Sequence, residues 1–499
     1  MTDTPRWELP LAALVSLLAY TLLIQADLST PYWWDAAAVY VPGSKWVAEN
    51  SFAAFPGVFP SLLARGHTTL FYVVTAVAYA LFGTAPPVGH VVVLGFATLG
   101  SALTYALGAR LFGRPAGVAA AGLLVVSPLW LTMSAQMLPE VPLAALTAGS
   151  LYAFSRGRHV EAAVWGVLVV LTKETGVACP LAITGALLLY GVRRRRFDDL
   201  VRPLLISLVP TVALAGFFVW QRLAEGWWVL PFHAELFGQE HDYLSQFGGV
   251  FNSMLLADGR VVALLGAVVL GLYRLRAAPE SFAQDPHEAP SPSHPPRWVV
   301  LTSLVLVFLA NQGFFTQMWF LERYALAAHP GLMVLLAGLL VPKASWPSRR
   351  LLASGAVVVL ATAGLAVQLA ATGSDYASGE TTFRYLRMVE AHQRVYAVLE
   401  STDEPALVMT AWPMTEELRK PYLGWVSREY ETVGIRGYRD GTDSVQGDRD
   451  IDAIVTVEGL GAHEDLLEAA RELGMERVRR EDVGGAVAEL WARPGVFNP

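Results

Sequence analysis

The chain has few charged residues and a single cysteine, and both features limit the classes of protein to which it can belong. Only 16% of its 499 residues are Asp, Glu, Lys or Arg, whereas 54% are hydrophobic. A mean hydropathy of +0.42 is too high for a water-soluble protein with one core. The one cysteine, Cys179, excludes an internal disulfide. No basic patch interleaved with aromatic residues occurs, so nothing in the sequence suggests nucleic-acid binding.

The sequence is instead rich in apolar runs, several of them about 18 to 23 residues long and nearly free of charge. A helix of that length crosses a hydrocarbon core of about 30 Å, so the runs predict a polytopic α-helical membrane protein. The first run has no basic segment before it and no small-residue cleavage site, which predicts a retained span. We expect about eleven spans, at residues 9–26, 88–110, 115–136, 141–155, 160–173, 177–192, 200–221, 258–276, 298–320, 325–342 and 350–372.

Lys and Arg residues cluster in alternate short connections, which predicts that these connections and the N-terminus are cytoplasmic. The segment 68–83 is apolar enough to span, but counting it would reverse every later cluster. We therefore predict a juxtamembrane helix lying along the outer interface; the alternative is that it crosses and a later run does not. The cytoplasmic clusters are Arg110/Arg114, Arg156/Arg158, Arg193–Arg196 with Arg202, Arg274/Arg276 with Arg297, and Lys343 with Arg349/Arg350.

The charge is divided unevenly along the chain. Residues 1–372 carry 22 basic and 19 acidic residues (+3), whereas residues 373–499 carry 14 and 24 (−10). This predicts a transmembrane domain over 1–372 and an acidic soluble domain over 373–499, on the outer face. Apolar β-rich runs at 406–410 and 453–457 alternate with helical patterns such as that at 463–473, which predicts a small α/β domain. The helix-like stretch 381–399 is expected to link this domain to the last span.

Charged residues close to the apolar runs are costly and therefore candidates for function. Asp35, in PYWWDAAAVY, could act as a general base, or it could cap the helix that follows. Glu140, in LPEVPL, could point a carboxylate to the outer face or be an ordinary loop residue. Lys173, in LTKETG, suits a phosphate cradle; the alternative is a simple pair with Glu174 in a turn.

Further candidates are weaker when taken one at a time. Arg323, in FLERYALAAHP, suits phosphate recognition, although it could instead snorkel or pair with Glu322. His67 could donate to a phosphate. The loop 227–243 combines aromatic residues with His233, Glu235, His241 and Asp242, but no metal-ligand spacing is evident, so we predict no cofactor and leave a divalent metal open.

The order of these segments resembles the GT-C glycosyltransferases of the protein mannosyltransferase and aminoarabinose transferase type. PYWWDAAAVY, GHTTLFYVVTAVAYALFG, LPEVPLAALTAGSLYAF, LTKETG and ERYALAAHP occur in the family's order over most of residues 7–342. The resemblance implies a GT-C-like fold with juxtamembrane helices in the first outer loop. It also implies transfer of a sugar from a polyprenyl phosphate to a lipid, glycan or protein acceptor on the outer face.

The resemblance assigns roles to residues by position. Asp35 and Glu140 correspond to the catalytic acids, and Lys173, Arg323 and His67 to the residues around the donor phosphate. We take Tyr40, Glu174, His233 and Tyr324 as further substrate-binding candidates. The hypothesis is an inverting displacement with Asp35 as base.

Two other functions are consistent with the composition. A transporter or flippase would also keep charges in its membrane domain, although such proteins usually show internal repeats, and none is clear here. A non-catalytic scaffold displaying the acidic tail would leave Asp35, Glu140 and Lys173 apart from one another, so their separation distinguishes it from an enzyme.

Overall fold

The fold was obtained as a computed structural model. It describes residues 5, 7–195, 197–231, 234, 242–257, 260–277, 294–318, 320–341, 355, 359, 362–364, 382–402, 407–435, 450–459 and 462–497. Most of these residues are helical, and the strands are confined to the C-terminal part. The predicted span at 350–372 lies almost entirely outside the described residues.

The helices that precede the C-terminal part are numbered here in chain order. They are α1 (Glu8–Ile24), α2 (Val41–Glu49), α3 (Ser61–Ala64), α4 (Leu70–Phe82), α5 (Pro86–Phe112), α6 (Arg114–Val125), α7 (Pro128–Met133), α8 (Glu140–Ser155), α9 (His159–Thr172), α10 (Ala178–Arg194), α11 (Val201–Glu225), α12 (Tyr243–Phe251), α13 (Arg260–Ala277), α14 (Arg297–Phe315) and α15 (His329–Leu340). Short π-helical turns at Ala36–Tyr40 and Asn252–Leu256 lead into α2 and α13.

Most predicted spans coincide with single helices, and two do not. The run at 115–136 is broken into α6 and α7, because Pro128 has no N–H and opens a new helix after the extended Ser127. The run at 325–342 begins as a 3₁₀ helix, Glu322–Ala328, and becomes α-helical only at His329. The segment 68–83 forms α4, as expected of a helix in the first loop.

The described helices indicate a multi-pass membrane protein. Five of them are long and apolar enough to cross a membrane, or six if the bent pair Tyr243–Leu256 and Arg260–Leu270 is one span. Four shorter apolar helices, α1, α4, α6 and α9, accompany them. The predicted number of eleven, and the position of α4 relative to the bilayer, stay predictions.

Helix α8 lies at the centre of the helical part, because all of its residues are buried. It packs against α5 and α9. At the periphery, α1 is tied to its neighbours by Glu8, whose carboxylate is 2.5 Å from Arg114 Nη2 and accepts from the Tyr105 hydroxyl at 2.8 Å. Because α8 is buried along its whole length, its first residue, Glu140, lies in the interior.

The C-terminal unit, defined here as residues 382–497, holds a five-stranded sheet, as the sequence predicts. Its strands are β1 (Leu407–Thr410), β2 (Glu431–Gly434), β3 (Ala453–Val457), β4 (Glu476–Val483) and β5 (Ala486–Ala492), in the order β2-β1-β3-β5-β4. β1 is parallel to β2 and β3, whereas β5 is antiparallel to β3 and β4. Three helices accompany the sheet: α16 (Tyr385–Leu399), α17 (Met414–Arg419) and α18 (His463–Glu472).

The C-terminal unit shares a hydrophobic core with the helical part. One cluster of buried apolar residues runs from α1 and the first loop, through α5 and α7, to α16 and the sheet. Burial of apolar side chains across this junction stabilises the contact by roughly 25 cal/mol per Å² removed from water. The unit therefore packs directly on the segment that contains Asp35.

Candidate active site

Four charged side chains from four separate elements form one network. Arg323 donates through Nη2 to the carboxylate of Asp35, and its Nε is 3.7 Å from Glu140 Oε1. Lys173 Nζ donates to the same Oε1 of Glu140 at 2.7 Å. The formal charges of the two acids and two bases cancel. A scaffold function predicted that these groups stay apart, and the geometry contradicts it.

Each member of the network is placed by a local break in helical structure. Asp35 precedes the π-helical turn, and Glu140 is the first residue of α8, where the helix dipole favours a negative charge. Lys173 has an extended backbone between α9 and the 3₁₀ turn Glu174–Val177. Arg323 lies in the 3₁₀ helix before α15. Such breaks let side chains enter the space between helices.

The network is buried except at one end. The side chains of Arg323, Glu140 and Lys173 are 2%, 3% and 7% exposed, whereas that of Asp35 is 21% exposed. Charges at that depth cost several kcal/mol each in lost hydration, which only their partners offset. Asp35 is thus the member of the network that a solute can reach.

The structure decides several alternatives that the sequence left open. Asp35 makes no side-chain capping hydrogen bond, so the helix-cap interpretation is wrong. Arg323 is too deeply buried to snorkel. Lys173 reaches across to Glu140, while Glu174 binds His67, with His67 Nδ1 3.1 Å from Glu174 Oε1.

The aromatic candidates surround the charged network. Lys173 Nζ lies over the ring of Tyr324, 4.2 Å from its centroid, which adds a cation–π contact. Tyr40 stacks on His67 at 6.4 Å. Burial, followed by the charge of Glu140, raises the pKa of Tyr40 well above its ordinary value, so its hydroxyl stays neutral. Eight of the nine sequence candidates therefore lie in one region; the ninth, His233, lies outside the described residues.

The backbone next to Asp35 is strained. Trp34 has a φ of 52°, in the left-handed region that non-glycine residues avoid at a cost of roughly 1–2 kcal/mol. A conformation of this kind persists only where the surroundings fix it. The direction of the Asp35 side chain thus depends on what holds Trp34.

The fold and part of the sequence are similar to known proteins. Residues 66–220 match the family described as dolichyl-phosphate-mannose-protein mannosyltransferase. The structure of ArnT from Cupriavidus metallidurans in the apo state superposes with a TM-score of 0.61 at 16% identity, covering 98% of both chains. The chain has the GT-C fold. The resemblance stated from the sequence is therefore confirmed.

Two further structures with the GT-C fold extend the comparison. ArnT from the same organism bound to undecaprenyl phosphate gives a TM-score of 0.60 at 15% identity, covering 98% of both chains. The Archaeoglobus fulgidus oligosaccharyltransferase with zinc and sulfate gives 0.51 at 12% identity, covering 91% of this chain and 69% of that one. A search of curated proteins finds no match to the sequence.

Metal ligands are not gathered in the part of the GT-C fold that the structure describes, since no group of three or more His, Cys, Asp or Glu residues there could hold an ion. Of the metal candidates in the loop 227–243, only Asp242 is described, and its side chain accepts from the Leu244 N–H at 3.1 Å. His233, Glu235 and His241 lie outside the described residues.

Sequence reasoning missed a buried arginine and several aromatic residues. Arg260 opens α13, is 1% exposed, and donates to the carbonyl oxygen of Ser253. The predicted span at 258–276 includes it, and an arginine near the end of an apolar run is a usable signal. Trp412 and Trp425 are far from Asp35 in sequence, and no local pattern connects them to it.

Proposed function

We propose that the protein transfers a sugar from a polyprenyl-phosphate donor to an acceptor hydroxyl, with Asp35 as general base. The observation that carries the proposal is one network in which the accessible Asp35 pairs with the buried Arg323, and Glu140 links Arg323 to the buried Lys173. A base-assisted displacement of a phosphate needs this combination, because a proton must leave the acceptor while negative charge grows on the leaving group.

The donor phosphate is proposed to bind between Arg323 and Lys173. Glu140 offsets the repulsion between the two cations, because it accepts from Lys173 and its carboxylate lies 3.7 Å from Arg323 Nε. A guanidinium can contact two phosphate oxygens at once, and the ammonium supplies a compact charge beside it. A phosphate that takes over Arg323 would release the Asp35 carboxylate to accept a proton.

The proposed reaction is a single inverting displacement. The acceptor oxygen attacks the anomeric carbon, the bond from that carbon to the phosphate oxygen breaks, and the acceptor proton passes to Asp35. The polyprenyl phosphate leaves with both bonding electrons, stabilised by Lys173 and Arg323. Single preorganised contacts of this kind lower a barrier by about 3–4 kcal/mol. Glu174 orients His67 and keeps it near the phosphate region.

The similarity to ArnT supports a lipid phosphate as ligand, because that protein is described as bound to undecaprenyl phosphate. On this proposal the membrane domain, residues 1–372, carries the chemistry, the N-terminus is cytoplasmic, and residues 373–499 lie on the extracytoplasmic face of the membrane. The acceptor is a lipid, a glycan or a protein.

The test is to incubate purified protein with a panel of polyprenyl-phosphate sugars and to follow which donor is consumed. D35N should lower turnover by at least 10³-fold while polyprenyl-phosphate binding stays near normal, as expected when a base is lost. E49Q is the matched control: it makes the same change in the same loop, at an exposed carboxylate that pairs with Lys45. Near-normal turnover by D35N would remove Asp35 from the mechanism, and a product that keeps the donor's anomeric configuration would contradict the single displacement.

A further inference from the structure

The three residues before Asp35 are held by the C-terminal unit. The backbone of Tyr32 makes two hydrogen bonds to it: its N–H donates to the carbonyl of Leu423 at 2.9 Å, and its carbonyl accepts from Trp425 Nε1 at 2.8 Å. The side chain of Tyr32 is fixed from the other side, since its hydroxyl donates to the carbonyl of Ala85 at 3.0 Å. Tyr32 therefore joins the helical part to the C-terminal unit.

The two tryptophans that follow Tyr32 pack on aromatic rings of the same unit. Trp33 is 5% exposed and lies 6.0 Å from Trp425 and 5.5 Å from His392, measured between ring centroids. Trp34 meets Trp412 edge to face at 4.4 Å. Trp34 is the residue with the left-handed backbone, so Trp412 contacts the strained position itself.

Buried polar contacts fix the rings that hold Trp33. His392 Nδ1 is 3.0 Å from Glu417 Oε2, and Tyr396 donates its hydroxyl to the same oxygen at 2.7 Å. His392 and Glu417 have fully buried side chains, and a ring bonded in this way keeps one orientation. The contact surface for Trp33 is thus rigid.

One of the two tryptophans lies just beyond the carboxyl end of a parallel strand. Trp412 follows β1 by two residues, in the turn that leads into α17. Ligands of open α/β sheets commonly bind beyond this edge. Here Trp34 of the same chain contacts the residue that lies beyond this end of β1.

We infer that Trp425 and Trp412, supported by His392, are positioning residues that hold Asp35 against Arg323. The inference rests on the proposed function, since it makes the C-terminal unit part of the apparatus that orients the proposed base. It assigns no contact with substrate to either tryptophan. We call the contacts of Trp425 and Trp412 with residues 32–34 the clamp. If these contacts are lost, Trp34 relaxes from its left-handed conformation and the Asp35 carboxylate turns away from Arg323.

The test uses the full-length protein and three variants. W425F keeps an aromatic ring but removes the indole N–H that holds Tyr32, together with part of the buried ring volume; W412A removes the ring against Trp34. W491F is the matched control, because Trp491 lies in the same unit and its Nε1 bonds to Glu489 at 2.9 Å, away from the loop. We expect W425F and W412A to lower kcat at least tenfold, with the donor KM and undecaprenyl-phosphate binding within twofold of wild type.

Two measurements separate positioning from simple stability. W425F and W491F should both unfold cooperatively, with melting temperatures above the assay temperature. Amide hydrogen exchange of peptides covering 31–40 should quicken in W425F and W412A but not in W491F. The inference is overturned if kcat is unchanged, or if donor binding falls as much as kcat; should W425F fail to fold, W412A decides. A wild-type protein that consumes no donor would instead refute the proposed function, while hydrogen exchange still reports on the clamp.

Discussion

Replacing Lys173 by methionine should destabilise the protein markedly. Removing the charge of Glu140 in the same variant should restore most of the lost stability. Lys173 Nζ and Glu140 Oε1 are 2.7 Å apart, and the two side chains are 7% and 3% exposed. At an effective dielectric constant of about 20, a pair at that separation attracts by about 6 kcal/mol. K173M leaves the Glu140 carboxylate buried, with Arg323 Nε at 3.7 Å as its remaining charged neighbour in the network.

The expected loss is smaller than the full attraction, because hydration of the lysine is no longer sacrificed. Removing one partner of a buried pair typically costs about 3–5 kcal/mol. Arg323 takes up part of the freed carboxylate charge, so we expect K173M to lose about 2–4 kcal/mol. In K173M/E140Q no unpaired charge is left between α8 and α9, and the loss should shrink to about 1 kcal/mol.

The assay is denaturant unfolding in mixed micelles, followed by tryptophan fluorescence, for the two single variants and the double variant. R158Q is a matched control, because it breaks an exposed pair with Glu161 that contributes less than about 1 kcal/mol. The coupling energy of the cycle should be at least 1.5 kcal/mol. Strictly additive single-variant effects would refute the reasoning that the two charges compensate each other in the interior.

Two further predictions concern the first loop and helix α5, which follows it. G89A should lose about 1–3 kcal/mol of stability, since the added Cβ would lie 2.6 Å from the Tyr32 hydroxyl. The control is G95A on the same helix, whose Cβ meets nothing within 4 Å and which should be neutral or stabilising. Thermal unfolding measures both variants, and equal melting temperatures would contradict the prediction. Burial raises the pKa of Asp27 to about 6, so its contribution to stability is present below about pH 4 and lost as pH rises through 6. After allowance for solvent screening, D27N should remove about 1 kcal/mol of that pH dependence. Identical profiles of stability against pH for D27N and the wild type would count against the prediction.

Much of the helical part could be predicted from the sequence, because the bilayer imposes a length and an apolar composition on each span. The break between α6 and α7 was missed, although Pro128 was visible. A proline is tolerated in the first turn of a helix and also in a kinked span, so its residue type alone does not separate the two. The transition from 3₁₀ to α-helix before His329 leaves no compositional mark.

The charged candidates could be identified because charge in apolar surroundings is rare, but their pairing could not. Lys173 had an acidic neighbour in sequence, Glu174, yet its salt bridge is to Glu140. Adjacent side chains point in different directions where helical structure is interrupted between them. Lys173 has an extended backbone between α9 and the 3₁₀ turn that begins at Glu174, so the two side chains diverge. Partner choice is thus decided by the way α8 and α9 pack.

The contacts that the segment before Asp35 makes with the C-terminal unit are also decided by tertiary packing, but between residues much farther apart in the sequence. Tyr32 and Trp425 are separated by 393 residues, and neither lies in a pattern with a period. The sequence did mark the region, since PYWWD places two tryptophans next to an acid. Large rings in a loop need partners to be buried, and here aromatic partners come from the C-terminal unit. An aromatic pair beside a candidate base is therefore a reason to look for the distant segment that covers it.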